Sequence, residues 1–172
     1  MGIMMFEVGD RVVHPQHGVG QVVKMEDKEF ETGVIRRYYE LSMPGGSTVW
    51  APVGLETVGL RKPAERREIA RCRKILVSRP SPLVDEARTR QANLLARLRQ
   101  GTISTFCEVV RDLYAYGEHK SLYGTIAGFY RVTKDVLCQE WAAVEGMTQV
   151  EAVQEIDALL EKGRESIKAP KV

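Results

Sequence analysis

The spacing of apolar residues changes near residue 63, and this change constrains the fold more than any other feature of the chain. Over residues 1–60, short runs of alternating apolar and polar residues, such as GDRVVH and GQVVKMED, are separated by glycines and prolines. Such runs predict short β-strands joined by tight turns. From Pro63 onward the apolar residues recur with a helical period instead, which predicts amphipathic helices. The sequence therefore predicts an α+β protein.

The first part is predicted to contain five strands, in GDRVVH, GQVVKMED, GVIRRYYELSM, STVWAP and TVGLRK. Five short strands at close spacing are typical of a small Tudor-like or SH3-like barrel. The second part is predicted to be a five-helix bundle, with an apolar stripe on each helix and a frayed tail in KGRESIKAPKV. We place the boundary after residue 62, so that the two domains span residues 1–62 and 63–172.

The stretch GDRVVHPQHGVG admits a chemical and an architectural interpretation. His14 and His17 resemble a pair of metal ligands, and Gly18 with Gly20 resembles a phosphate loop. Two histidines alone are too few ligands, however, and a strand follows the glycines where a phosphate loop needs a helix N-terminus. Pro15 cannot donate to a central strand ladder. The stretch therefore predicts a strand end followed by a tight turn.

Little in the sequence points to catalysis or to a bound cofactor. Cys72, Cys107 and Cys138 are widely spaced within apolar helical patterns, so we expect reduced, buried thiols and no metal site. Asp85 and Glu86 are placed to favour a helix N-terminus, and no nucleophile elbow or Walker loop is present. We expect a protein without cofactor or enzymatic activity. The absence of a long apolar run favours a soluble cytoplasmic protein without membrane contact.

Positive charge is concentrated in the middle of the chain. Residues 61–99 carry 12 Lys/Arg against 4 Asp/Glu, whereas the flanking regions are mildly acidic. This distribution favours contact with a polyanion, nucleic acid being the leading candidate, although each arginine could instead solubilise the surface. The predicted phosphate contacts are Arg88 and Arg90 at the start of the second helix, followed by Arg79, Arg97 and Arg99.

Several segments together resemble one family. The stretches FEVGDRVVHPQHGVGQVVKME, YYELSM and VWAPVGLETVGLRK, followed by GTISTFCEVVRDLYAY, are similar to the CarD family of bacterial RNA polymerase-binding regulators, also called CdnL-like. The pattern GDxVVxPxHGxG in the first stretch is also similar to the polymerase-binding module of transcription-repair coupling factors. EVVRDL within a helical bundle selects the free-standing regulator. The resemblance covers roughly residues 5–162.

The resemblance implies a two-part adaptor that acts by binding. Its Tudor-like module would bind the β-subunit lobe of RNA polymerase, and its helical domain would contact promoter DNA at the upstream edge of the melted bubble. We expect it to act as a monomer. Trp50 is either an aromatic anchor or a barrel-face residue, and Lys28 stands where relatives often have arginine. The implied polymerase-facing positions are Lys28, Val49, Trp50, Ala51 and Pro52.

One departure from the family concerns the second helix, where relatives carry a tryptophan wedge against the bubble edge. Alignment from Gly101 places that position at Ala87, and alignment on the Ala-Asn pair places it at Glu86. No aromatic residue lies between residues 51 and 105, and Trp141 fits the apolar stripe of the fourth helix. We expect weaker open-complex stabilisation than in wedge-bearing relatives. An adaptor whose helical domain binds a protein, or an enzyme with an SH3-like accessory module, are the alternatives.

Overall fold

The N-terminal module is an open antiparallel sheet in the computed structural model, which describes residues 5–54 and 59–168. Four strands follow one another in space in the order β1-β2-β3-β4. Each strand is short and bounded by turns, except that β2 and β3 extend into a long hairpin. The strands are β1 (Arg11–His14), β2 (Gly18–Glu31), β3 (Val34–Ser42) and β4 (Thr48–Pro52).

Five helices follow the sheet, as the apolar period predicts, so the α+β class and the helix number are confirmed for the described residues. Helices α1, α3, α4 and α5 pack on one another around a shared core. The helices are α1 (Arg66–Val77), α2 (Ala87–Arg99), α3 (Ile103–His119), α4 (Gly124–Glu145) and α5 (Gln149–Lys168). No helix within these described ranges is long and apolar enough to span a membrane.

The predicted fifth strand, TVGLRK, is not confirmed, and with it the closed barrel. Thr57 and Val58 lie outside the described residues. In the rest of the run, Arg61 and Val13 form an isolated antiparallel bridge, with N···O distances of 2.8 and 3.2 Å. The described sheet is therefore four-stranded and open, and a short linker closes against β1.

Alternation along the strands builds the core of the β-module. At the start of β2 and the end of β3, buried side chains alternate with exposed or half-buried ones, as a pleated strand requires. In β1 both faces are covered, because Val12 faces this core and Val13 faces the helices. A register shift between Val22 and Lys24 changes which side chains of β2 face outward. The buried set is Phe6, Val12, Val22, Tyr39, Leu41, Met43 and Ala51.

The turn after β1 confirms the architectural interpretation of GDRVVHPQHGVG. Gly18 has φ +87°, which strains any other L residue, and a Cβ there would also displace the end of the Gln139 side chain of α4. The Gln139 Oε1 in turn accepts a hydrogen bond from the Val19 amide at 3.2 Å. Burial and the neighbouring His17 lower the pKa of His14 to about 4. The segment thus fastens the β-module to α4.

The helical core matches the predicted apolar faces of α1, α3 and α4. Trp141 is fully buried, as expected of a core residue, and the three cysteines are free and buried. Burial raises the pKa of the Cys138 thiol to about 11, which keeps this thiol protonated. Val13 of β1 joins the same cluster. Val13 therefore links the sheet to the helical core, while the β-module keeps a core of its own.

Two predictions about the helices are wrong. The apolar stripe expected on the second helix is not buried: Leu94 is covered, whereas Leu95 is 36% and Val84 is 42% exposed. The frayed tail is also incorrect for residues 162–168, because α5 continues to Lys168. The reason is close packing, since a Cβ on Gly163 would lie 3.0 Å from the Leu76 carbonyl oxygen. Glycine here permits contact between α5 and the end of α1.

Candidate functional site

An aromatic and cationic surface lies on the outer side of the sheet, and we call it the sheet face: Lys28, Phe30, Tyr38 and Trp50. The Lys28 ammonium lies 4.5 Å from the centroid of the Trp50 ring, a cation–π arrangement. Phe30 meets Tyr38 edge-on with ring centroids 4.8 Å apart, and lies 6.4 Å from Trp50. Phe30 is 58% exposed, so this aromatic group is open to a partner.

The structure brings only some of the predicted polymerase-facing residues to this surface. Lys28 and Trp50 lie together on the sheet face, and Lys28 also pairs with Glu26. Val49 and Pro52 are half-buried, and the Ala51 side chain is buried in the module core, where it cannot contact a partner. Residues 49–52 nevertheless all belong to β4, which is a terminal strand of the sheet.

Phe30 and Tyr38 belong to the sheet face although they were not predicted for it. Both lie on the long β2–β3 hairpin. Phe30 is on β2, two residues after Lys28, and Tyr38 is on β3, directly opposite Glu26 of β2. Strand alternation from Lys28 would have placed Phe30 on the same side. Tyr38 could not be placed from sequence, because the register shift in β2 hides the pairing.

A second surface is formed by α2, which carries four arginines and no acidic residue. Arg88 and Arg99 are exposed, and neither side chain makes an ion pair within residues 5–54 and 59–168. Arg79 is exposed in the connection that leads from α1 to α2. We call Arg79, Arg88 and Arg99 the free arginines. They are the predicted phosphate contacts that the structure leaves open to solvent.

The other two predicted contacts hold the fold together instead. Arg90 donates to the carbonyl oxygens of Val84 and Asp85 at 3.0 and 2.8 Å, and its guanidinium lies 5.2 Å from the Tyr116 ring centroid. Arg97 donates to the Asp112 carboxylate at 2.7 Å. Both side chains are therefore occupied in joining α2 and the segment before it to α3.

Asp112, the aspartate of the EVVRDL motif, is the centre of this attachment. Its buried carboxylate accepts hydrogen bonds from Arg97 at 2.7 Å, Arg111 at 2.9 Å and the Ser81 amide at 2.9 Å. Arg111 also donates to the Ser78 hydroxyl at 2.7 Å. The motif thus fixes both α2 and the preceding connection on α3. The EVVRDL motif was visible in the sequence, but its role in attaching α2 to α3 could not be derived from the sequence.

The start of α2 carries no aromatic side chain at the position of the expected wedge. Ala87 is the first helical residue and is exposed. Glu86 caps the helix, accepting from the Arg88 amide at 2.9 Å and the Thr89 amide at 2.6 Å. The hydrogen bonds from Thr89 and Arg88 lower the pKa of the Glu86 carboxyl. Its charge is thus used in stabilising the helix end.

Arg61 joins the two modules through a buried ion pair. Its guanidinium donates to both carboxylate oxygens of Glu140 in α4, each at 2.6 Å, and Glu140 is fully buried. The Arg61 Nε donates to the Gly101 carbonyl oxygen in the turn after α2, and its backbone pairs with Val13 of β1. One residue therefore links the sheet, α4 and the end of α2. A buried carboxylate without partners is costly, so Glu140 requires the Arg61 guanidinium at this position.

Metal-binding geometry is absent from the part of the chain that the structure describes. No group of three His, Cys, Asp or Glu side chains there could hold a metal ion. The groups that the structure does assemble are an aromatic–cationic face and a basic helix, both suited to macromolecular contact.

Comparison with known proteins agrees with this two-part arrangement. A family model described as the CarD-like/TRCF RID domain matches residues 6–63, and one described as the CarD C-terminal domain matches residues 71–157. The chain is also similar to YdeB of Bacillus subtilis (strain 168), whose name describes a candidate transcription factor. The two are 25% identical over 147 residues, which cover 84% of this chain and 95% of that protein.

These findings define a transcription regulator with a β domain and a helical C-terminal domain. The chain belongs to the CarD-like family. Membership implies regulation of transcription through interaction with RNA polymerase, in a family that is generally non-enzymatic.

Proposed function

We propose that this protein binds the β-subunit lobe of RNA polymerase through the sheet face and β4, and lays α2 on promoter DNA to modulate the stability of the open complex. The observation that carries the proposal is the Arg61 contact, because it links the polymerase-binding module to the turn after α2. A module docked on polymerase then holds α2 at a defined place. Weak phosphate contacts suffice at the resulting high effective concentration.

The sheet face has the composition of a protein-binding hot spot. Trp50 and Phe30 provide aromatic area, and Lys28 adds a charge that is already oriented over the Trp50 ring. As an edge strand, β4 also offers main-chain groups for strand addition, so Ala51 contributes through its backbone although its side chain is buried. This supports a protein partner for the β-module.

The α2 surface has the composition of a phosphate-binding site. Arg88 and Arg99 extend from a helix without acidic residues, so nothing on that helix repels a polyanion. Lys and Arg side chains bind the DNA backbone largely by releasing counterions, with little preference for sequence. Residues 63–172 therefore contact DNA that polymerase has already selected.

Polymerase binding is tested by measuring the affinity of the isolated β lobe for the full chain. We expect Trp50→Ala to weaken binding about tenfold or more, because aromatic anchors dominate such interfaces. Val8→Ala removes another exposed apolar side chain of the same module and serves as the control. Equal affinity of the Trp50 variant and the unchanged protein would remove the sheet face from the interface.

DNA binding is tested by the double variant Arg88→Glu, Arg99→Glu. We expect weaker binding to duplex DNA and a salt dependence reduced by about 0.9 in logarithmic slope for each lost phosphate contact. The matched control is Arg71→Glu, Lys74→Glu, which reverses two exposed charges of α1. An unchanged slope in the α2 variant would contradict the DNA contact.

A protein partner for the helical domain is the second candidate function. It is favoured by the exposed apolar side chains of Val84 and Leu95, which lie before and on α2. Leu95→Asp would then abolish capture of that partner while leaving the salt dependence of DNA binding unchanged. The DNA proposal expects the opposite: the variant Arg88→Glu, Arg99→Glu should have the larger effect on binding, and Leu95→Asp the smaller one.

A further inference from the structure

Tyr123, in the connection between α3 and α4, is the most exposed large hydrophobic side chain among the described residues, at 76%. It occupies the N-cap of α4, where Ser, Thr, Asp or Asn normally accepts hydrogen bonds from the first amides of the helix. Tyr123 makes no such side-chain hydrogen bond. A local rule is thus broken without a compensating contact, which is typical of residues retained for binding.

The connection that carries Tyr123 is attached to the start of α2. The Lys120 ammonium donates to the Asp85 carboxylate at 2.6 Å, two residues before α2 begins. Leu122, next to Tyr123, packs in the cluster formed around Leu94 of α2 and Leu113 of α3. The backbone beneath the exposed ring is therefore fixed at the end of the bundle where Arg88 lies.

The start of α2 and the connection before α4 carry three cations, Arg88, Arg90 and Lys120, against two carboxylates, Asp85 and Glu86. Asp85 is paired with Lys120, and Glu86 is engaged in capping α2, whereas Arg88 is free. Leu122 packs into the bundle and the other neighbours of Tyr123 in the sequence KSLYGT are polar or small, so the adjoining chain adds no large exposed apolar side chain to the ring. A single exposed ring at the end of the bundle that carries Arg88 fits an unpaired nucleobase.

We propose that Tyr123 stacks on an unpaired base at the junction between duplex and melted DNA, next to the phosphates that α2 contacts. This proposal rests on the proposed DNA contact and assigns an aromatic contact to a chain that has no aromatic residue between residues 51 and 105. The ring comes from the α3–α4 connection and is brought to α2 by the fold. This stacking requires a base that can unstack from its neighbour, so fully paired DNA does not engage the ring.

The test compares a forked duplex, with unpaired ends, and a fully paired duplex of equal length, both bound to the full chain at low salt. The unchanged protein is expected to prefer the fork, and Tyr123→Ala to weaken fork binding about fivefold or more with little change for the paired duplex. Tyr123→Phe retains the ring and the preference. A 2-aminopurine placed at the junction reports stacking by its quenched fluorescence, which Tyr123→Ala restores.

Two further variants separate stacking from a structural role. Tyr123→Ser introduces a favourable N-cap, so it is expected to lose the fork preference while the thermal midpoint stays equal or rises. Val150→Ala removes a 66% exposed side chain in the first turn of α5, which follows the far end of α4, and is expected to change nothing. The 22 residues of α4 span about 33 Å.

The outcomes distinguish this proposal from the one on which it rests. If Tyr123→Ser binds the fork like the unchanged protein while Arg88→Glu, Arg99→Glu weakens all DNA binding, the stacking role is overturned and the α2 contact stands. If the arginine variant has no effect on DNA, both proposals fail. If Tyr123→Ala weakens binding to polymerase instead of to the fork, the ring contacts protein and the stacking role is overturned.

Discussion

Helices α1 and α2 have nearly the same length and are both rich in cations, yet the bundle uses them in opposite ways. α1 buries Ile69, Cys72 and Leu76 against α3, α4 and α5. α2 buries only Leu94 and packs on α3. In α1, Arg73 pairs with the carboxylates of Glu145 and Glu155 and lies over the Trp141 ring, whereas the arginines at positions 88 and 99 of α2 remain free.

The difference shows how a helix can be positioned without being buried. α2 is held by polar contacts at specific points, chiefly Arg97 on Asp112 and Arg90 on the carbonyl oxygens before the helix. Such contacts are directional, so they fix the orientation of the helix while they cover little of its surface. The remaining surface is available to a partner, and its free cations indicate which partner.

The largest expected effect separates the two helices by stability. Ile69→Ala in α1 removes a fully buried side chain and leaves a cavity, so we expect the free energy of unfolding to fall by about 2–5 kcal/mol. Leu95→Ala in α2 removes a side chain that is 36% exposed and should change it by no more than about 1 kcal/mol. Urea unfolding measures both, and equal losses would mean that α2 is part of the core.

A smaller loss is expected when the polar attachment of α2 is weakened. Asp112→Asn removes the charge that Arg97 and Arg111 share, and we expect a loss of about 1–3 kcal/mol, because both arginines keep some contact with solvent. Amide exchange should accelerate in α2 more than in α1. Asp157→Asn, at an exposed ion pair with Lys134, is the control. Uniform acceleration across both helices would show that Asp112 supports the bundle rather than α2.

The sequence predicted the elements whose apolar residues are regularly spaced. The face of α1 and the burial of Trp141 follow from helical periodicity, and the turn at Gly18 follows from the positions of glycine and proline. How little of α2 is buried was not predictable, because the spacing of apolar residues does not reveal whether a neighbouring helix covers them. Leu94 and Leu95 are adjacent leucines, and only contact with α3 distinguishes them.

The candidate site was predictable as a charge density but not as a list of contacts. Clustered arginines marked α2, and the free side chains of Arg88 and Arg99 were among those predicted. Arg90 and Arg97 could not be told apart from them, since their partners are backbone carbonyls and a carboxylate 15 residues away. The Arg61–Glu140 contact spans 79 positions and arises only from the packing of the linker on α4.

The smallest expected effect concerns how the two helices begin. At α1 the Glu68 carboxylate accepts from the Glu65 amide, whereas at α2 the N-cap residue Glu86 accepts from the Arg88 and Thr89 amides. Because these hydrogen bonds lower the pKa of Glu86, its contribution is present above the ordinary glutamate pKa and is lost as the pH falls through the lowered value. Acidification should therefore loosen the start of α2 only at a pH below the ordinary glutamate range.

The amide proton shifts of Arg88 and Thr89, followed by NMR from pH 6 to about 2.5, measure this titration. We expect a shared midpoint below the ordinary glutamate value of 4.5. Glu86→Gln should abolish the titration at both amides. A midpoint at or above the ordinary value would show that Glu86 does not cap α2 in solution. The polar attachment of the helix would then begin at Arg90, one turn later, and Ala87 with Arg88 would belong to the connection that α2 presents to DNA.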